Sequence, residues 1–150
     1  MHLIISCSLN INSRSRKLAE IASSYYSDAG VNLIDLSKIE LPFCDGDLCY
    51  DNDEVDKLKN LISSAHSIIV AGPIYNYDLN AAAKNLIELT GRSWTDKIVG
   101  FICAAGGKGS YMSPMYFMNS LVLDFRCIIV PRFVYADKSY FSETNDVSEV

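Results

Sequence analysis

Ser67-Ile68-Ile69-Val70-Ala71-Gly72-Pro73-Ile74-Tyr75-Asn76-Tyr77 decides how this chain is read. Its first four residues form a short apolar run, the pattern of a fully buried strand. Asn80 to Thr90 follows with the spacing of a helix. Gly72 to Tyr77 therefore stands where a strand hands over to a helix. In an open parallel sheet that is the edge where ligands bind. Two tyrosines and an amide there offer flat apolar faces with donors and acceptors, suited to a planar, hydrogen-bonding ring. An ordinary surface loop could carry the same residues, so the rest of the chain has to decide.

Outward from this stretch, strand and helix patterns alternate five times. Leu3 to Cys7 reads as the first strand. Leu18, Ile21, Ala22, Tyr25 and Ala29 recur at helical spacing, and Gly30 is placed to stop that helix. Val31 to Leu36 is a second strand. Asp53 is expected to cap a helix with Val55, Leu58, Leu61, Ile62 and Ala65 on one face. After the third strand and the helix closed by Gly91, Lys97 to Cys103 is a fourth strand. Pro114 suits a first helical turn, and Met115, Met118, Leu121, Val122 and Phe125 mark the stripe behind it. Cys127 to Pro131 is a fifth strand, and Arg132 to Val150 shows no strong period. The alternation predicts an α/β three-layer sandwich, a five-stranded parallel sheet with helices on both faces. The order 2-1-3-4-5 places the switch point between strands 1 and 3. Loops after strands 1, 3 and 4 converge there, and those are the unusual loops of this chain.

Composition narrows the function. With 150 residues, one domain spanning 1–150 is expected, and 49% hydrophobic content fits a compact core. The formal charge of −5 without a Lys/Arg cluster makes a poor nucleic-acid binder. No apolar window approaches a membrane span, and Met1 to Ile5 lacks the basic start of a signal peptide. Cys7, Cys44, Cys49, Cys103 and Cys127 make an odd count without a Cys-x-x-Cys pair, which reads as reduced thiols in a cytoplasm. Cys44 and Cys49 could pair, but nothing in the sequence requires it. His2 and His66 lack partners at metal spacing, and Asp45, Asp47, Asp51 and Asp53 fit no calcium loop.

The first loop and its helix start hold Ser6, Ser8, Asn10, Asn12, Ser13 and Ser15, with Arg14 and Arg16 among them. One polar residue caps a helix; six beside free helix N–H groups favour an anion, above all a phosphate. Two other phosphate loops fail on spacing. Six residues separate Cys7 from Arg14, where the cysteine phosphatase loop needs five. Gly109 follows Lys108, where a P-loop needs Ser or Thr. A receiver domain also fails, because Cys7-Ser8 and Ala71-Gly72 stand where it needs acidic residues. The glycines at 106, 107 and 109 let backbone approach a ligand closely.

Together these loops resemble the NADPH-dependent FMN reductase family, whose fold is flavodoxin-like. Ser6 to Ser15 is similar to its FMN-phosphate loop. Gly72 to Tyr77 with Lys84-Asn85-Leu86-Ile87 resembles its flavin-ring loop and following helix. Ala105 to Ser110 resembles its third flavin loop, and Leu41 to Asp47 its leucine-proline-acidic segment. By position, the resemblance implies a phosphate held by Ser8, Ser13, Arg14 and Ser15, with Asn10 also on the cofactor, at a place where arginine is more usual. Pro73, Ile74, Tyr75, Asn76 and Tyr77 would line the ring, and Ala105, Gly106 and Gly107 would offer N–H groups to its pyrimidine edge. The activity implied is hydride transfer from NAD(P)H to FMN, then reduction of a small acceptor such as a quinone, azo dye, nitro compound or metal oxyanion. A homo-oligomer, dimer or tetramer, is implied, without nucleic acid or membrane. The final family helix would be short or absent, leaving one sheet face exposed or covered by a partner. Two other roles stay open: a non-enzymatic, flavodoxin-like electron carrier, and a scaffold domain without cofactor.

Overall fold

The computed structural model describes residues 1–26 and 30–148. Its strands are β1 (His2–Ser6), β2 (Val31–Asp35), β3 (Ser67–Tyr75), β4 (Asp78–Leu79), β5 (Ile98–Ala104), β6 (Ile128–Ile129) and β7 (Val134–Ala136). The helices are α1 (Arg14–Ser24), α2 (Asp53–Ser64), α3 (Ala81–Thr90) and α4 (Pro114–Phe125). The sheet runs β2-β1-β3-β5-β6, all parallel, which is the predicted order. β4 adds to β3 antiparallel, and β7 adds to β5 parallel.

Alternation along the buried strands sorts the core into two layers. Leu3, Ile5, Ile68, Val70, Val99, Phe101 and Cys103 face one way and pack with Leu58 and Ile62 of α2, Leu86 of α3 and Leu121 of α4. Ile4, Ala71 and Ile102 face the other way, against Ala19 of α1. Three helices thus cover one face and α1 covers the other. Beside α1 that second face opens into a groove of about 430 Å³ lined by Ala22, Tyr26, Ile69, Gly100 and Val130, among others.

Several local expectations are corrected. β3 runs on through Gly72-Pro73-Ile74 to Tyr75 and turns back as a hairpin, Ile74 facing Leu79 and Tyr75 facing Asp78. Pro73 is tolerated because β1 ends at Ser6 opposite Ala71, so no ladder on that side needs its missing N–H. Asn52, not Asp53, caps α2, its Oδ1 accepting from the N–H groups of Glu54 and Val55. α1 stops at Ser24, and Gly30 with φ +63 instead starts the approach to β2. Ile21 and Tyr25 are exposed, and Ala29 lies outside the described residues. The expected fifth strand shrinks to β6. The chain leaves the ladder around Pro131 and rejoins β5 as β7, inside the stretch that showed no period. On α4, Phe117 rather than Met115 or Val122 joins Met118 and Leu121 in the core.

Candidate active site

Register brings the three loops together. Ser6 lies opposite Ala71, and Gly72 and Pro73 lie opposite Cys103 and Ala104. The chain therefore leaves β1, crosses β3 and leaves β5 at one edge of the sheet. Gly72 is fixed by crowding: a Cβ there would stand 3.0 Å from Leu79 Cδ2 and 3.4 Å from Asn80 Oδ1. Asn80 joins two of the loops, its amide N–H donating to the carbonyl of Cys7 at 2.7 Å. It precedes α3 but makes no side-chain cap bond there. In the sequence Asn80 reads only as the start of a helix, so this tie was not visible.

A cavity of about 290 Å³ lies at this edge, lined on one side by Ser8, Asn10, Asn12, Ser13, Arg14 and Ser15. Pro73, Ile74, Tyr75, Ala104, Ala105 and Gly106 line the other side, and Asn145 closes the rim. Among these described lining residues there is no carboxylate. The loop after β1 is held by short local bonds. The N–H of Asn10 donates to Ser8 Oγ at 3.3 Å, and that of Asn12 to Asn10 Oδ1 at 2.8 Å. Ser13 caps α1 by accepting from the N–H of Arg16 at 3.1 Å, and its hydroxyl lies 3.0 Å from that of Ser15. The N–H groups of Arg14 and Ser15 open the helix, where no intrahelical carbonyl can accept them. Three buried hydroxyls, a guanidinium and the positive end of a helix dipole converge there.

The two arginines divide the labour. Arg14 lines the cavity, while Arg16 turns away and pins the loop from behind. Its Nε lies 2.9 Å from Asp35 Oδ2, and its terminal nitrogens donate to the carbonyls of Ser8 and Ile11 and to Ser37 Oγ. Arg14 is steered by the C-terminal segment: its Nε–H donates to Asn145 Oδ1 at 2.7 Å, and Phe141 lies under its guanidinium. Asn145 stands 131 positions away in sequence, and no pattern near it singles it out.

The loop after β5 differs from expectation at one donor. The N–H of Ala105 is already given to the carbonyl of Ala136 at 2.9 Å, so β7 holds it. The N–H groups of Gly106 and Gly107 make no bond among the described residues. Tyr135 supports the loop, its hydroxyl donating to the carbonyl of Gly107 at 2.6 Å. A Cβ at Gly106 would meet nothing within 4 Å, and neither Gly106 nor Gly107 has positive φ. Protein packing thus places no demand for glycine there. Asn76, Tyr77 and Gly107 do not line the cavity. Asn76 and Tyr77 form the hairpin tip, both with positive φ, and Tyr77 is exposed.

The sequence profile described as NADPH-dependent FMN reductase matches residues 2–141, spanning the whole sheet and every cavity-lining residue except Asn145. The chain belongs to that family. It is 27% identical over 122 residues to an NAD(P)H-dependent FAD/FMN reductase of Geobacillus thermodenitrificans, covering 80% of this chain and 66% of that protein. It is 28% identical over 121 residues to an NAD(P)H:quinone oxidoreductase of Solanum tuberosum, covering 76% and 61%. An NADPH azoreductase of Bacillus sp. (strain OY1-2) is 26% identical over 132 residues, with 85% and 74% covered. The chain thus spans about two thirds of the length of the reductases it matches. Among solved structures, the flavoenzyme NAD(P)H:(acceptor) oxidoreductase FerB of Paracoccus denitrificans superposes with a TM-score of 0.78 at 20% identity, over 99% of this chain and 86% of that one. At that identity the likeness concerns the fold, which is flavodoxin-like.

Proposed function

We propose that this member of the family is an FMN-dependent NAD(P)H oxidoreductase, passing electrons from a nicotinamide through bound flavin to a small acceptor such as a quinone, azo or nitro compound or metal oxyanion. The observation that supports it best is one cavity with two unlike walls. One wall is an anion cradle of Ser8, Ser13, Ser15, Arg14 and the start of α1. The other is flat and neutral, from Pro73, Ile74 and Tyr75 to Ala104, Ala105 and Gly106. FMN has a single terminal phosphate and a planar ring, and these residues fit both. The space beside Gly106 accepts a ring edge at the place where a Cβ would project.

Bound flavin would supply the two-electron chemistry. The chain's own part is placement. The hydroxyls and Arg14 would fix the phosphate, Pro73 and Tyr75 would rest against the ring, and the free N–H groups of Gly106 and Gly107 would meet its polar edge. Among the described lining residues there is no carboxylate or histidine, which supports placement as the chain's part. The names of the quinone and azo reductases support the acceptor class. Among the described residues no helix is long and apolar enough to cross a membrane. The odd cysteine count without a Cys-x-x-Cys pair supports a reducing, cytoplasmic setting. Exposed Tyr116, Val122 and Leu123 on α4 support a homo-oligomer, which sedimentation would measure.

The test is a visible absorption spectrum of the purified chain with added FMN, followed by NADPH or NADH without oxygen. A flavin spectrum perturbed on binding and bleached within seconds is expected. Bound FMN that neither nucleotide bleaches would leave a carrier rather than a reductase, and no uptake of FMN would end the reading. Ser13→Ala with Ser15→Ala should weaken FMN binding, since each hydroxyl contact to a charged group contributes about 1.5–3 kcal/mol.

A further inference from the structure

The segment between β2 and α2 carries two thiols that the flavin site does not use. Cys44 is half-buried and Cys49 is 4% exposed, and their sulfurs lie 3.9 Å apart. This approach is built by fixed bonds. Asp45 Oδ1 accepts from the N–H groups of Asp47 and Cys49, at 2.9 and 3.1 Å, which folds Cys49 back over Cys44. Asn85 of α3 clamps the other end, accepting from the N–H of Cys44 and donating to the carbonyl of Pro42, both at 2.9 Å. The Tyr50 hydroxyl is 3.6 Å from Cys44 Sγ. A disulfide needs its sulfurs at about 2.05 Å, a closure that side-chain rotation can supply from here. Among the described residues no group of three His, Cys, Asp or Glu could hold a metal, so the pair is left with thiol chemistry.

We propose that Cys44 and Cys49 form a thiol–disulfide exchange site that takes low-molecular-weight disulfides as oxidant and closes to an intramolecular disulfide. The Cys44 thiolate, having released its proton, attacks one sulfur of the small disulfide. The S–S bond breaks, and the departing thiolate takes up a proton as the first free thiol. Cys49 then loses its proton and attacks the Cys44 sulfur of the mixed disulfide, expelling the second thiol. The two cysteines lose two electrons, and the small disulfide gains them as two thiols. Exposure sets the order: a small disulfide reaches Cys44, while Cys49 is covered. Burial, with the Asp45 carboxylate beside it, raises the Cys49 thiol, which makes it the poorer first nucleophile. Disulfides of this kind inside cells are transient and redox-responsive.

The experiment is intact-mass analysis and peptide mapping of the full chain after incubation with oxidised glutathione. Wild type should lose about two hydrogens, with a 44–49 cross-link and no lasting adduct. Cys49→Ser, or Cys49→Ala as a second variant, should trap glutathione on Cys44, and Cys44→Ser should do neither. Wild type that keeps both thiols free, or that ends with a stable adduct on Cys44, overturns the proposal. So does a Cys44→Ser chain that takes glutathione on Cys49 as fast as wild type reacts. No flavin enters this readout, so it stands or falls apart from the reductase reading.

Discussion

The Nε–H of Arg14 donates to Oδ1 of Asn145 at 2.7 Å, joining the rim of the cavity to the C-terminal segment. The same segment presents Phe141 to the guanidinium at 5.1 Å and Asp146 to Lys17, three residues further along α1. Arg14 is therefore a positioned cation. Asn145→Ala should weaken FMN binding by about 1.5–3 kcal/mol, the scale of a hydrogen bond to a charged group. A double-mutant cycle with Arg14→Ala checks the cause. If Asn145 acts by positioning Arg14, its loss should cost little once Arg14 is gone. Equal costs in both backgrounds would mean that Asn145 works alone.

Arg16 and Asp35 form the pin behind the loop, with side chains only 14% and 11% exposed. Arg16→Ala would leave that carboxylate poorly compensated and free the carbonyls of Ser8 and Ile11. A stability loss of about 1–3 kcal/mol in urea unfolding is expected, because a removed partner leaves a nearly buried charged group unsatisfied. FMN affinity should fall as well, through a loosened loop. Arg16→Lys keeps one charge but not the forked contacts, so it should recover only part of either loss. A full recovery with lysine would show that charge alone matters.

Gly106 separates ligand demand from folding demand. Nothing in the protein lies within 4 Å of a Cβ built there, and its φ is one that any residue adopts. Gly106→Val should melt at the wild-type temperature yet bind FMN at least tenfold more weakly, a change of about 1.4 kcal/mol. Unchanged affinity would place the ring elsewhere.

Much of this was legible in the sequence because it is periodic. Runs such as Ile68 to Val70 and Ile98 to Cys103 fixed the strands, and their alternation with helical spacing led to the order of the sheet. The serine-rich loop and Gly106 were visible from composition at fixed positions. What stayed hidden depends on geometry at a distance. Asn145 meets Arg14 only because β7 returns the chain to β5 after Pro131, and that return has no period of its own. Asn80 reads only as the start of a helix, and its bond to Cys7 exists only once the sheet register is set. Ile21 and Tyr25 misled for a related reason: a helical stripe is buried only where something covers it.

Burial separates the core thiols Cys7 and Cys103 from the half-buried Cys44. Desolvation pushes Cys7 and Cys103 up from an ordinary 9.0 to about 12. Iodoacetamide at about pH 8 should therefore label Cys44 and spare both core thiols while the chain is folded. The same shifts carry a stability signature. Between 9.0 and about 12 the unfolded thiols lose protons that the folded ones keep. The unfolded state is favoured by that difference, so stability is complete below 9.0 and falls as pH rises through the window. Urea midpoints measured at about pH 8 and about pH 10.5 should show that fall, reduced in Cys7→Ala once its own cavity cost is subtracted. Midpoints that hold steady would mean that the core thiols do not control alkaline stability.

The hairpin tip gives the sharpest test of the ring loop. Asn76 has φ 50 and Tyr77 has φ 67, so both central residues of the two-residue turn are left-handed. That is the signature of a type I′ turn, which favours Asn followed by Gly. Asn76 suits its place, whereas an aromatic residue in the left-handed region costs on the order of 1–3 kcal/mol. Tyr77→Gly should relieve that strain and raise the melting temperature, although most substitutions destabilise. Such strain persists where a side chain has work to do, and Tyr77 stands exposed two residues beyond Tyr75, which lines the cavity. Tyr77→Gly should therefore bind FMN about as well as wild type but reduce an added acceptor more slowly, because the tip would frame the approach to the ring and not the cofactor itself. Thermal melts, FMN titration and NADPH oxidation on the same preparation separate the outcomes. A variant that is more stable and equally active would show that the tyrosine is an accident of the turn. A variant that is less stable would show that its ring packs into the fold or a subunit interface, and that the strain is offset there.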